Sequence, residues 1–164
     1  MLTRVLVPLD GTPAGEAVVP LIGRWLRGTG AVVYLLAVRP TPRTVLCADG
    51  WILYLDELMA HERAQLEEYL ARVGSQLAYD GIAVRRVVRF GEAVEEIAAA
   101  AAEHAVDCIA LAAAPRVGLW RLLGPSLAER LRARSGVPVV ALAASAPAAQ
   151  PAVPWFGRLL KLSG

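Results

Sequence analysis

The sequence predicts an α/β protein: a doubly wound, five-stranded parallel sheet between two helical layers. Three observations predict it. Short apolar runs alternate with longer helical patterns from one end to the other, the pattern of successive βαβ units. The runs are almost continuously Val, Ile, Leu and Ala, as strands buried on both faces must be. And in 164 residues, 56% hydrophobic content against 20% charged supplies a full two-sided core and argues against disorder.

The strands are expected at Arg4–Leu9, Ala31–Val38, Ala83–Arg89, Asp107–Ala112 and Pro138–Leu142. After the first, Thr12 can N-cap a helix with Pro13 at its first position, running through Trp25 and stopping near Gly28 and Gly30. The longest helix is expected over Tyr54–Leu77. Leu55, Leu58, Met59, Leu66, Tyr69, Leu70 and Val73 recur at helical spacing there, opposite a face carrying Glu62, Arg63, Glu67 and Arg72. A third helix starts near Glu92 and covers the alanine-rich stretch to His104, with Glu92, Glu95 and Glu96 in its first turns, where the helix dipole favours negative charge. The last helix opens at Ser126-Leu127-Ala128-Glu129, a capping-box pattern, and ends at Ser135-Gly136. Right-handed crossovers are expected between the parallel strands. Residues 1–143 thus read as one domain, and 144–164 as an Ala/Pro-rich linker with a short basic and apolar tail, Trp155–Leu162.

Composition narrows the function classes. A net charge of +2, spread along the chain without basic blocks or aromatic-basic alternation, argues against nucleic-acid binding. Arg and Pro interrupt every apolar run that could span a bilayer, and no secretory leader is evident, so a cytoplasmic protein is expected. The tail leaves room for contact with a membrane surface or a partner protein. Cys47 and Cys108 lie in unlike contexts, one in a connecting loop and one inside a strand, and read as free thiols. His61, on a charged helix face, and His104, near a helix C-terminus, have ordinary structural explanations. No nucleophile-base pair, metal-ligand cluster or paired carboxylates stand out, so the chain is expected not to be an enzyme.

The segment Ala112–Ser126 is placed as a phosphate loop would be, after a strand and before a capped helix. Its residues do not match that task. A loop holds phosphate through converging backbone N–H groups, which needs close approach and often positive φ, and glycine provides both. Pro115 and Pro125 have fixed φ and no N–H to donate. Arg116 and Arg121 can offer charge-assisted bonds in place of lost donors, or simply be solvated.

Four segments in order resemble the universal stress protein family: Val5–Thr12, Leu35–Val38, Phe90–Ile97, and Ala112–Ser126 continuing into Gly136–Val140. The likeness covers Arg4 to Leu142. It implies a Rossmann-like fold of the adenine nucleotide hydrolase type with strand order 3-2-1-4-5, and pairing of the strand Val137–Leu142 with its copy in a homodimer. It also implies an adenine site at Asp10 and at the backbone of Val38. The family's phosphate glycines and hydroxyl fall on Ala112, Pro115, Pro125 and Ser126, of which Ser126 alone matches. Gly118 and Gly124 do not restore the pattern in register.

Two readings follow. In the first the protein is a regulatory, stress-response member with no cofactor and no tight hold on ATP. In the second it keeps an adenine compound, AMP or ATP, through Asp10, Val38, the Ser126 helix start and Arg116. Asp10 has a competing explanation, since Asp before Gly11 starts a turn by itself, and the capping box likewise explains Ser126.

Overall fold

The structure is a computed structural model that describes residues 2–42, 55–113 and 126–143. Cys47, Pro115, Arg116, Arg121, Pro125 and the tail 144–164 lie outside the described residues. Within them five strands, β1 (Arg4–Leu9), β2 (Val32–Arg39), β3 (Ala83–Phe90), β4 (Cys108–Ala112) and β5 (Val139–Leu142), alternate with helices. The helices are α1 (Pro13–Glu16), α2 (Val19–Leu26), α3 (Leu55–Tyr79), α4 (Ala93–Glu103) and α5 (Leu127–Ser135). The strands form one parallel sheet in the order β3-β2-β1-β4-β5, the expected order.

Alternating side chains of the central strands feed two separate cores. Val5, Val7 and Leu9 of β1, with Val33, Leu35 and Ala37 of β2, pack against Val19, Ile22 and Leu26 of α2 and Leu66, Leu70, Val73 and Leu77 of α3. Leu6, Leu36 and Ile109 point the other way, against Val94, Ile97, Ala100 and Ala101 of α4 and Leu131 of α5. Each such side chain withdrawn from water contributes about 2 kcal/mol before entropy is counted.

The first helix departs from expectation. A single helix from Pro13 to Trp25 is replaced by α1 and α2, broken at Ala17 and Val18. Pro20 explains the break: it has no N–H for the Glu16 carbonyl and its ring would clash there, so the helix restarts with Pro20 in its first turn. Thr12 does cap α1, its hydroxyl accepting from the Gly15 N–H at 3.0 Å. Strand ends shift by a residue: β2 and β3 run on to Arg39 and Phe90, and β4 and β5 begin at Cys108 and Val139.

On α3, Leu66, Leu70 and Val73 are buried as expected, while Leu58 and Met59 are half-buried. Of the residues assigned to its solvent face, Arg63 is exposed but engaged and Glu62 is partly withdrawn. Arg63 stacks over the Phe90 ring at 5.4 Å and donates to the Val88 carbonyl, and Glu62 is half-buried. Long amphipathic side chains cover apolar surface with their stems, which hydropathy spacing does not register.

Asp107 ties the two halves of the sheet at its lower edge. Its carboxylate accepts from the Thr3 N–H at 2.6 Å, the Thr3 hydroxyl and the Arg4 N–H, so β4 starts level with β1. The same bonds hold its carboxyl below the usual carboxylate range. Beside it the buried Cys108 thiol is pushed up to about 12 by burial and by the Asp107 charge. His104 caps the end of α4 and stacks on Tyr34 with ring centroids 4.7 Å apart.

Leu70 is fully buried in the α3 core and Tyr79 is 92% exposed. Leu70→Ala is expected to destabilise by about 3 kcal/mol. Tyr79→Ala should change stability by less than about 0.5 kcal/mol. Urea unfolding followed by circular dichroism measures both.

Candidate functional site

β1 and β4 lie side by side at the centre of the sheet, but their ladder covers only Val5–Cys108 and Leu6–Ile109. Beyond it β1 continues to Leu9 paired with β2, and β4 continues to Ala112 paired with β5. The crossovers from β1 and β4 leave toward opposite faces, so a crevice opens between the strand ends. Open α/β sheets bind ligands at such a switch point.

Asp10 stands at that opening. Its Oδ1 accepts from the Thr12 N–H at 2.9 Å and from the Thr12 hydroxyl at 2.7 Å, a turn closed by the aspartate itself. Gly11 completes the turn with φ +82°, and a Cβ on Gly15 would meet Asp10 Oδ1 at 2.4 Å. One carboxylate oxygen is therefore committed to the turn. Oδ2 makes no hydrogen bond among the described residues, so the structural role of Asp10 leaves a second acceptor free.

Val38 is set by register. Val32 donates its N–H to the Thr3 carbonyl just before β1, whereas the Arg39 carbonyl accepts from Gly91 beside β3. Backbone groups alternate in direction along a parallel strand, so those of Val38 face the β1 side. β1 ends opposite Ala37, leaving the Val38 carbonyl turned toward the opening beside Asp10. Ala112 ends β4 on the far side, half-buried.

Ser126 is the N-cap of α5, with φ −66° and ψ 161°. Its hydroxyl accepts from the Glu129 N–H at 3.3 Å, and Glu129 Oε2 accepts from the Ser126 N–H at 2.6 Å. The expected capping box is thus complete, and it places a carboxylate of the protein where a bound anion would neutralise the helix end. α4 is closed the same way by Glu92, which accepts from the Glu95 N–H at 3.1 Å. Arg130 of α5 reaches Glu92 at 3.0 Å and Arg134, in its last turn, reaches Glu95 at 2.7 Å, fixing the start of α4 against α5.

A second group lies between α1 and α3. Arg72 pairs with Glu16 at 3.3 Å and stacks over the Tyr69 ring at 5.3 Å. The Tyr69 hydroxyl is sealed from solvent and closes no hydrogen bond, although Glu16 and Gly11 lie near it. Burial, then the Glu16 charge, pushes that hydroxyl up to about 12, so it stays protonated. Next to it opens a cleft of about 540 Å³ walled by Gly11, Arg39 and the α3 residues Glu62, Gln65, Leu66 and Tyr69. Sequence reasoning missed this wall. Positions 62, 65, 66 and 69 share one helix face, and Arg39 follows directly on the strand that carries Val38; both facts were available.

Of the sequence-predicted site residues, the structure brings Asp10 and Val38 to one opening at the C-terminal edge, with Ala112 ending the strand across it. Ser126 starts the helix that leads back from that edge. Pro115, Arg116 and Pro125 lie outside the described residues. No set of three His, Cys, Asp or Glu residues placed to hold a metal occurs among the described residues, and no described helix is long and apolar enough to cross a membrane.

Strand order and crossovers define a doubly wound α/β protein whose switch point lies between β1 and β4. Residues 1–143 match the model of the universal stress protein family, and the chain belongs to that family. Among solved structures it is similar to the protein MJ0577, at 20% identity and a TM-score of 0.68, covering 87% of this chain and 96% of that one. A universal stress protein in complex with cAMP gives 16% identity and a TM-score of 0.65, covering 88% and 98%. The Archaeoglobus fulgidus universal stress protein in complex with dAMP gives 18% and 0.55, covering 86% and 97%. No curated protein matches the sequence.

The α4–α5 tie is open to a pH test. The Glu95 N–H and then Arg130 hold Glu92 below its ordinary value of 4.5. A group whose value is lower folded than unfolded binds fewer protons when folded, so its contribution is complete above that ordinary value and is lost as pH falls through the lowered one. Urea midpoints between about pH 3 and pH 7 should therefore fall on the acid side. Glu92→Gln should have a lower midpoint at neutral pH and a shallower acid decline.

Proposed function

We propose that this universal stress protein is a non-enzymatic, cytoplasmic regulator that binds an adenine mononucleotide such as AMP in preference to ATP. The observation that carries the reading is the capping box of α5. A triphosphate held at that helix would need its free N–H groups and its positive end, and the Glu129 carboxylate already takes the Ser126 N–H at 2.6 Å. Ala112, Pro115 and Pro125 add to this from the sequence, since none supplies the backbone freedom of glycine. The adenine end is better supported. Asp10 keeps a free carboxylate oxygen and the Val38 carbonyl faces the same opening, two acceptors suited to an amino group and a ribose hydroxyl. Crystallised relatives in complex with cAMP and dAMP are consistent with this choice.

Calorimetry tests the reading directly. AMP should bind the full chain and Mg-ATP more weakly, and Asp10→Ala should weaken AMP by about tenfold, the equivalent of one or two hydrogen bonds to a charged group. Micromolar binding of Mg-ATP, or unchanged AMP binding by Asp10→Ala, overturns it.

A homodimer through Val137–Leu142 belongs to the same proposal. β5 is an edge strand, and edges are normally covered or paired. The Pro138 and Leu142 carbonyls accept from Ile109 and Ala113, so the backbone groups of Val139 and Ala141 face outward. Ala141→Pro removes an outward N–H while sparing the ladder to β4. Sedimentation velocity should show a dimer for the unaltered chain and a monomer for the variant.

A further inference from the structure

The cleft beside Gly11 and Arg39 carries chemistry that the crevice between β1 and β4 does not use. Its walls begin at Gly11 and Arg39, the residues that directly follow Asp10 and Val38, so it continues the adenine position toward α3. At about 540 Å³ it lies within the range of small-molecule sites. Gly11 is favoured there by its φ of +82°, and the Arg39 guanidinium lies beside it.

The charges in this cleft differ from those around it. Toward the C-terminal edge of the sheet, Arg72, Arg89 and Arg130 are all paired with glutamates. The Arg39 side chain is exposed and makes neither an ion pair nor a hydrogen bond among the described residues. Glu62 lines the same cleft and is also unpaired, so the two do not neutralise one another. An unpaired guanidinium suits a phosphate, for which its planar fork is well matched. A carboxylate beside it suits hydroxyl donors and disfavours a second phosphate. Tyr69, fixed by Arg72 stacked on its ring, and Leu66 supply an apolar wall.

We propose that this cleft holds the phosphorylated sugar of the ligand, with Arg39 taking the phosphate and Glu62 the sugar hydroxyls, so that the phosphate turns toward α3 and away from the α5 helix. It rests on the adenine reading above only for which end of the ligand lies at Asp10. The ligand class is a sugar monophosphate; one sugar hydroxyl can reach the acceptors at Asp10 and Val38 and another Glu62, while a base adds its amino-group contact at that opening.

Calorimetry of the full chain with ribose 5-phosphate, adenosine and AMP separates the two halves. Arg39→Gln should lose about tenfold or more in affinity for AMP and for ribose 5-phosphate, and change adenosine by less than about twofold. Arg39→Lys should recover part of the loss. Since Arg39→Gln keeps the backbone bond to Gly91 and removes no side-chain ion pair or hydrogen bond among the described residues, its melting temperature should match that of the unaltered chain. If ribose 5-phosphate binds through Arg39 and adenosine does not bind, the cleft stands and the adenine reading falls. If adenosine and AMP bind equally, or AMP binds Arg39→Gln as tightly as the unaltered chain, the cleft proposal is overturned. Absence of binding by both phosphorylated compounds at about 1 mM also overturns it.

Discussion

The short ladder between β1 and β4 is the constraint on which the rest depends. Two residue pairs, Val5–Cys108 and Leu6–Ile109, join the halves of the sheet, and Asp107 locks them at the lower edge through Thr3 and Arg4. Above them the strands follow different partners. The crossovers from β1 and β4 go to opposite faces of the sheet, with α2 and α3 on one side and α4 and α5 on the other. The opening beside Asp10 and Val38 is therefore a consequence of connectivity, before any side chain is chosen to serve a ligand.

Charge around that opening is largely consumed by the protein itself. Glu92 and Glu129 close the starts of α4 and α5, and Arg130 and Arg134 bind those helices together through Glu92 and Glu95. Rigid helix starts of this kind stabilise the fold, and they also remove the anion sites that helix termini otherwise offer. The same glutamates that make the capping patterns recognisable in the sequence weaken the case for a bound triphosphate. Arg39, outside this network, is the contrasting feature.

Much of the fold could be read from local patterns. Near-continuous apolar runs, Thr12-Pro13 and Ser126–Glu129 each announced an element whose cause is local in sequence, and each formed. The failures share another cause. The break between α1 and α2 follows from Pro20 meeting a carbonyl one turn back, and the contacts of Arg63 with Val88 and Phe90 are made to a strand 25 or more positions away. Asp10 shows the limit at a site: the sequence offered a turn residue or a ligand residue, and the structure has it closing the turn with one oxygen while leaving the other available.

Sequence by itself determined the fold class, the strand order through family resemblance, the helix caps and the loss of glycine at Ala112, Pro115 and Pro125, because these depend on residue type and short-range spacing. Tertiary structure alone decided which charges remain unpaired. Nothing in the sequence says which of Arg72 and Arg39 finds a side-chain partner, yet one is stacked on Tyr69 and paired with Glu16 while the other lines an open cleft with no side-chain partner among the described residues. That difference comes from where α1 and α3 pack on the sheet, a matter of long-range contact that no local pattern encodes.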